Sequence, residues 1–163
     1  MTLLTDEVRA WIGREAVYEA PEEVGRASIR YFAVAIGDDN PLYVDDEFAK
    51  SNGYPSVIAP PTFVCETNQF LQSSQNDDGY LGHTWDLPVQ GCRLVRGGNE
   101  YEFVRPLLPG DRVRVTWRLR DISERTSSNG AQMLIVSSEA TYESNGDTIA
   151  RNTETLIYQA VAR

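Results

Sequence analysis

Residues 36–50 read Ile-Gly-Asp-Asp-Asn-Pro-Leu-Tyr-Val-Asp-Asp-Glu-Phe-Ala-Lys and gather several groups able to hold or move a proton. Two carboxylates, Asp38 and Asp39, stand beside the amide of Asn40, the ring of Pro41 and the phenol of Tyr43. A carboxylate can act as a general base and an amide can hold a water. A phenol, with an ordinary pKa of about 10, is a poor base near neutrality but can donate a proton or orient water. The same residues also suit a turn. Asn-Pro initiates turns, and Asp38 or Asp39 could cap a helix near Val44. The stretch therefore reads either as an acid/base turn with a part missing or as a polar turn.

Other reactive side chains are sparse. His83 is the single histidine. It falls in a long polar stretch, as a surface or satisfied loop residue, or alternatively as an acid reaching across an interface. Cys65 and Cys92 lack metal-ligand spacing and read as buried small hydrophobes. There is no Gly-x-Ser-x-Gly elbow, phosphate loop, GxGxxG or zinc pattern, so neither a metal nor a cofactor is expected.

The elements that must position the turn are legible in outline. Ile29, Phe32, Ala33 and Ile36 recur at helical spacing from about Arg26, and Gly37 can end that helix. Residues 44–53 read as a second short helix, stopping at Asn52-Gly53. Met1–Ile12 is an amphipathic lead-in with Thr5 or Asp6 as its cap. Pro60 and Pro61 forbid helix upstream and suit the first turn of a helix over Thr62–Ser73. Residues 73–88 read as a loop. From Asn99 onward the pattern alternates apolar and polar, with hairpin signals at residues 127–130 and 144–147. Helices first and an antiparallel meander second describe an α+β domain, a single one over residues 1–163.

Composition bounds the function. Of 163 residues, 41% are hydrophobic and 24% charged, as in ordinary soluble domains. No apolar run approaches the roughly 18–20 residues of a membrane span. With no signal-like N-terminus, a cytoplasmic protein without membrane partners is expected. The net charge of -9 argues against nucleic acid. Residues 93–120 are locally arginine-rich, either a basic face for a phosphorylated small ligand or solvated strand faces.

The order of elements resembles the hot-dog fold, a curved antiparallel sheet wrapped around a central helix. The turn sharpens the likeness. The (R)-specific enoyl-CoA hydratases of the MaoC-like family share Gly-Asp-x-Asn-Pro-(aliphatic)-His before an Ala-containing helix. This chain reads Gly37-Asp38-Asp39-Asn40-Pro41-Leu42-Tyr43, with Ala49 downstream. Arg105–Val113 is similar to the family's Pro…Gly-Asp approach to its long strand. The resemblance spans about residues 10–160 and is strongest to the N-terminal, FAS1-like dehydratase-domain subgroup, including non-catalytic subunits of dehydratase pairs.

The resemblance implies hydration of trans-2-enoyl thioesters or dehydration of (R)-3-hydroxyacyl thioesters. In the family an Asp and a His flank the water as base and acid, and a backbone N–H at a helix start meets the thioester oxygen. Asp38 and Asn40 match, but the His position holds Tyr43. Where family members read Ile-Ala-His-Gly-Met, this chain reads Ile58-Ala59-Pro60-Pro61-Thr62, and Pro61 has no N–H to offer. Pro61, Thr62, Phe63 and Tyr54 are the residues expected at the substrate site, and the apolar Phe63, Val64, Tyr54 and Trp85 would either line an acyl tunnel or pack in the core. Arg96, or else Arg93 or Arg105, would meet the phosphates of coenzyme A or a carrier-protein arm. The expected partners are an acyl-CoA or acyl-carrier-protein thioester and either a second copy or a MaoC-like subunit carrying the Asp/His pair. The alternatives are a self-sufficient hydratase using Asp38 and a thioester-binding protein with no chemistry.

Overall fold

The protein is described from a computed structural model, over residues 2–65, 83–128 and 130–161. The first half is short and helical: α1 (Asp6–Arg9), α2 (Arg26–Ile36), a 3-10 turn (Pro41–Tyr43) and α3 (Asp46–Ser51). The hydroxyl of Thr5 caps α1 through Val8 N–H, as expected. α2 starts and stops where its periodicity predicts, with Gly25 before it and Gly37 after it. Its Ile29 and Ala33 face the core. Residues 63–65 are helical, in the first turn of the expected helix. The remainder of that helix, and the loop up to residue 82, lie outside the described residues.

The sheet has five antiparallel strands in the order β1-β3-β4-β5-β2. They are β1 (Glu15–Glu19), β2 (Cys92–Phe103), β3 (Arg114–Thr126), β4 (Gln132–Ser144) and β5 (Asp147–Ala160). β1 is absent from the sequence reading. Its five residues, Glu-Ala-Val-Tyr-Glu, give too short an alternation to stand out, and pairing to β3 supplies the order. β3, β4 and β5 form the expected meander, whereas β2 lies on the far edge against β5. The β4–β5 hairpin turns through Asn145 and Gly146, both at positive φ, 54° and 87°. That is the geometry Asn-Gly supplies most cheaply.

One face of the sheet is buried and the other wet. Val113, Val115, Trp117, Leu119, Leu134, Val136, Tyr142 and Leu156 fill the core. Arginines on the outer face pair across strands: Arg118 with Glu15 at 3.7 Å, Arg114 with Glu19 at 3.6 Å, Arg120 with Glu139 at 3.1 Å. Each such exposed pair contributes only about 0.2–1 kcal/mol. It nevertheless sets opposite charges side by side, so these arginines are solvated strand faces. Among the described residues, no helix is long and apolar enough to cross a membrane.

Candidate functional site

The site is built outward from the end of α2. Gly37 takes a left-handed conformation, φ 70°, which ends the helix. Asp38 N–H then bonds back to Ala33 O at 2.9 Å. Asp38 Oδ1 accepts Asn40 N–H at 3.1 Å, and Asn40 Oδ1 accepts Leu42 N–H at 3.1 Å. Two successive side-chain turns thus fix the backbone from Asp38 to Leu42. The expectation that Asp38 or Asp39 caps the next helix is corrected. Asp45 does so, accepting Glu47 and Phe48 N–H at 2.9 and 3.0 Å.

Tyr43 ends the 3-10 turn and points inward, 6% exposed, while Asp38 remains exposed. Burial first, then the nearby charge of Asp38, raise the Tyr43 phenol above its ordinary range, with Asn40 opposing. Near neutrality Tyr43 is therefore a buried, neutral phenol beside Asp38.

The second half of the site arrives through backbone bonds. Ile58 N–H bonds Leu42 O at 3.0 Å, and Ala59 N–H bonds Leu107 O at 2.8 Å. Asp46 adds a brace, accepting Val57 N–H at 2.9 Å and meeting Arg26 at 2.8 Å. Pro60 is buried, Pro61 and Thr62 are exposed, and Phe63 packs its ring 5.0 Å from that of Phe32 on α2. Phe63 N–H is turned back to Pro60 O at 2.9 Å. Tyr54 packs against the core just after α3. Val64 and Trp85 are core residues, at 1% and 5% exposure. The structure thus ties Asp38, Asn40 and Tyr43 to the Pro61–Phe63 turn.

The arginines are placed differently. Arg105 makes a two-pronged bond to Asp111, 2.9 Å on each arm, and Leu108 N–H adds a third at 2.8 Å. That clamp fixes residues 105–111, whose Leu107 receives Ala59, so Arg105 serves the site's frame and not a phosphate. Arg96 pairs with the buried carboxylate of Glu154 and lines a cleft with Trp85, Leu87, Cys92, Arg93 and Tyr158. The cleft is lined by none of residues 37–43.

Two further features surround the site. Of the readings open for His83, the structure takes that of a loop residue held inside the molecule, not one at the surface. It is 3% exposed, its Nδ1 lies 2.8 Å from Tyr18 Oη, and its ring packs against Trp85 and Trp117 at 4.3 and 5.0 Å. Burial lowers its pKa to about 4. The other is a cluster beside the Pro61 turn, where Tyr101 stands near Cys65 and Tyr142, and burial, foremost, raises the Tyr101 phenol far above its ordinary range. Cys65 and Cys92 form no disulfide and are half-buried rather than buried.

Known proteins agree with this architecture. A chain of the ChsH1–ChsH2 complex of Mycobacterium tuberculosis superposes with a TM-score of 0.73 at 21% identity, over 95% of this chain and 92% of its own length. A chain of the C-terminally truncated HadBC (3R-hydroxyacyl-ACP dehydratase) complex of the same organism gives 0.64 at 24% identity, over 88% and 96%. These likenesses establish the hot-dog fold. In sequence, the chain is 39% identical over 118 residues to UPF0336 protein SCO4636 of Streptomyces coelicolor, covering 72% of this chain and 75% of that one. The family model described as FAS1-like, dehydratase domain region, matches residues 10–152. The chain is accordingly a member of the FAS1-like dehydratase-domain family, with the UPF0336 proteins among its relatives.

Proposed function

We propose that this chain is the acyl-thioester-binding subunit of a hydratase/dehydratase acting on trans-2-enoyl and (R)-3-hydroxyacyl thioesters, and that a MaoC-like partner carrying the Asp/His pair supplies the chemistry. The observation that carries this reading is Tyr43. It occupies the position of the family's acid/base histidine, buried and neutral, with its phenol raised by burial and by the nearby charge of Asp38. Hydration needs one group to take a proton from water and another to deliver one to the α-carbon near neutral pH. A buried phenol raised above its ordinary range is an unwilling acid near neutral pH.

The oxyanion side supports the same reading. Negative charge on the thioester oxygen needs a donor aimed at it, and losing one such donor costs on the order of 100-fold or more in rate. Pro61 has no N–H, and Phe63 N–H is spent on Pro60 O. Two parts of the machinery, on different segments, are thus altered together. The structural neighbours named above are drawn from two-subunit complexes, that of HadBC being a 3R-hydroxyacyl-ACP dehydratase. Binding surfaces persist in this chain where chemistry does not.

The test is hydration of trans-2-butenoyl-CoA by the purified chain, followed as loss of the conjugated-thioester absorbance. No turnover is expected alone, and turnover is expected with a partner bearing the complete Asp/His motif. Turnover by the chain alone, abolished in Asp38→Asn, would overturn the subunit reading in favour of a self-sufficient hydratase.

A further inference from the structure

Of the three arginines that the sequence offers as phosphate contacts, two are spent on carboxylates. Arg105 is forked onto Asp111, and Arg96, where β2 bulges, meets the buried Glu154. Arg114, Arg118, Arg120 and Arg151 on the neighbouring strands pair with carboxylates as well. Arg93 differs. It faces Gln159 across the β2–β5 ladder, and its Nε and Nη2 both donate to Gln159 Oε1, at 2.9 and 2.6 Å. Among the described residues it meets no carboxylate. A neutral amide therefore fixes the plane of this guanidinium without cancelling its charge. The end formed by Nη1 and Nη2 keeps its donors, in the fork geometry that matches two oxygens of one oxyanion.

Arg93 lines the open cleft of about 650 Å3 formed by residues 84–89 and the start of β2. That volume is in the range of small-molecule sites, roughly 300–1,000 Å3. Trp85, Leu87, Val89 and Leu94 give the cleft apolar walls, and Asp86 is the carboxylate on its lining. The walls are held in place. Trp85 Nε1 donates to Ser138 Oγ at 2.7 Å, and Tyr158 Oη donates to Trp85 O at 2.8 Å. Arg93 also lines a second cleft, of about 530 Å3, with Gln132 and Gln159. The guanidinium is thus open to a ligand that fills the first cleft and extends past it. Apolar walls, one carboxylate and a charged fork together suit a nucleotide. The walls cover the base, the carboxylate accepts from an exocyclic amine such as that of adenine, and the fork takes two phosphate oxygens.

We propose that this cleft holds the adenine nucleotide end of a coenzyme A thioester, with Arg93 binding its phosphates. The proposal rests on the thioester-binding reading above and adds the carrier, coenzyme A in place of a carrier protein. A carrier protein presents the acyl group on a phosphopantetheine arm, which has no nucleotide to fill the cleft. An acidic carrier protein would also meet like charge over the surface of a chain whose net charge is -9. Coenzyme A brings its phosphates to one arginine instead, and that arginine's charge is not already spent.

The experiment is calorimetric titration of the purified chain with octanoyl-CoA and with octanoyl-4'-phosphopantetheine, saturated thioesters that cannot be hydrated and that differ only in the nucleotide. Octanoyl-CoA is expected to bind at least about 10-fold tighter, the worth of hydrogen bonds to a charged group. Arg93→Gln should bring octanoyl-CoA down to the affinity of octanoyl-4'-phosphopantetheine and leave the latter unchanged, which a general loss of structure would not do. Thermal melts confirm that the variant is folded, and the wild-type comparison decides without it. Equal affinity of the two thioesters overturns the nucleotide site and favours a carrier-protein arm, with the thioester reading still standing. A preference for octanoyl-CoA that survives in folded Arg93→Gln overturns the role of Arg93. Binding of neither thioester overturns both this proposal and the thioester reading beneath it.

Discussion

At the scale of single residues, Tyr43 ends the 3-10 turn inside the core, and its hydroxyl is measurable in stability as well as chemistry. Tyr43→Phe leaves the ring in the core but removes the hydroxyl beside Asp38. Because Asp38 is exposed and can be rehydrated, the loss should be a modest 0.5–1.5 kcal/mol in urea unfolding. A loss above about 3 kcal/mol would mean that Asp38 is held far more tightly than its exposure implies. On the proposed reading, giving the isolated chain hydratase chemistry takes two changes. Tyr43→His alone should leave the isolated chain without hydratase activity, because Pro61 still withholds an N–H. Adding Pro61→Gly should bring turnover above background in the absorbance assay, and continued silence would place the deficit elsewhere in the site. The turn was legible in the sequence because its residues are neighbours and each bond within it spans two residues. The burial of Tyr43 was not, since it depends on residues 57–59 folding over the turn. The buried polar pair on β5 was likewise hidden. Its signal was the polar Asn152 and Glu154 at inward positions of β5, between Ala150 and Leu156, and it acquires meaning only when the bulge in β2 brings Asn99 and Arg96 opposite.

At the scale of elements, two connectors carry the frame. The first is the 105–111 loop. The fork from Arg105 to Asp111 is largely sheltered, with Asp111 7% exposed. Asp111→Ala leaves a guanidinium and the Leu108 N–H without their acceptor, and should cost about 3–5 kcal/mol in chemical denaturation. The second connector is the strap at residues 83–89. His83 pins it to β1 through Tyr18, Trp85 Nε1 donates to Ser138 Oγ at 2.7 Å, and Tyr158 Oη donates to Trp85 O at 2.8 Å. Folding holds His83 neutral, with a pKa near 4 against 6.5 when unfolded. The unfolded chain therefore binds the extra proton between these values, and stability rises with pH there. The contribution is fully present above pH 6.5 and is lost as pH falls towards 4, amounting to about 3 kcal/mol. Subtracting His83→Phe from wild type at pH 7, 5.5 and 4.5 isolates this term from the carboxylates. A difference independent of pH across that window would show that His83 is solvated. The strap also shows where sequence reading stops. Its residues look like loop because no periodicity runs through them, yet Tyr18, Trp85 and Trp117, far apart in the chain, close around the histidine. β1 was missed for the complementary reason, being ordered by its partner strand and not by its own five residues.

At the scale of the whole molecule, β2 is the element still to be accounted for. It is twelve residues long and, within the sheet, hydrogen-bonded to β5 on one side only. Long edge strands invite pairing unless they are short, charged or covered. β2 carries Val95 and Phe103 at 39% and 46% exposure, and Val104 follows at 51%. On the proposed reading, this edge receives the partner subunit, which would set the partner's Asp/His pair beside a chain that binds but does not react. Co-expression with a MaoC-like subunit bearing that pair should then give a 1:1 complex by light scattering, with turnover that neither chain shows alone. Val95→Lys and Val104→Lys together place charge on the contact while leaving the core residues untouched. They should weaken the complex at least 10-fold, with little change in the melting temperature of the isolated chain. Because each buried unpaired charge costs several kcal/mol, an interface that included these positions could not tolerate both. An unchanged affinity would move the partner to another face of the molecule, the exposed side of α2 with Tyr31 and Val34 being the next apolar surface available. A weakened complex would instead set the partner's acid and base along the β2 edge, on the side of the sheet away from β1.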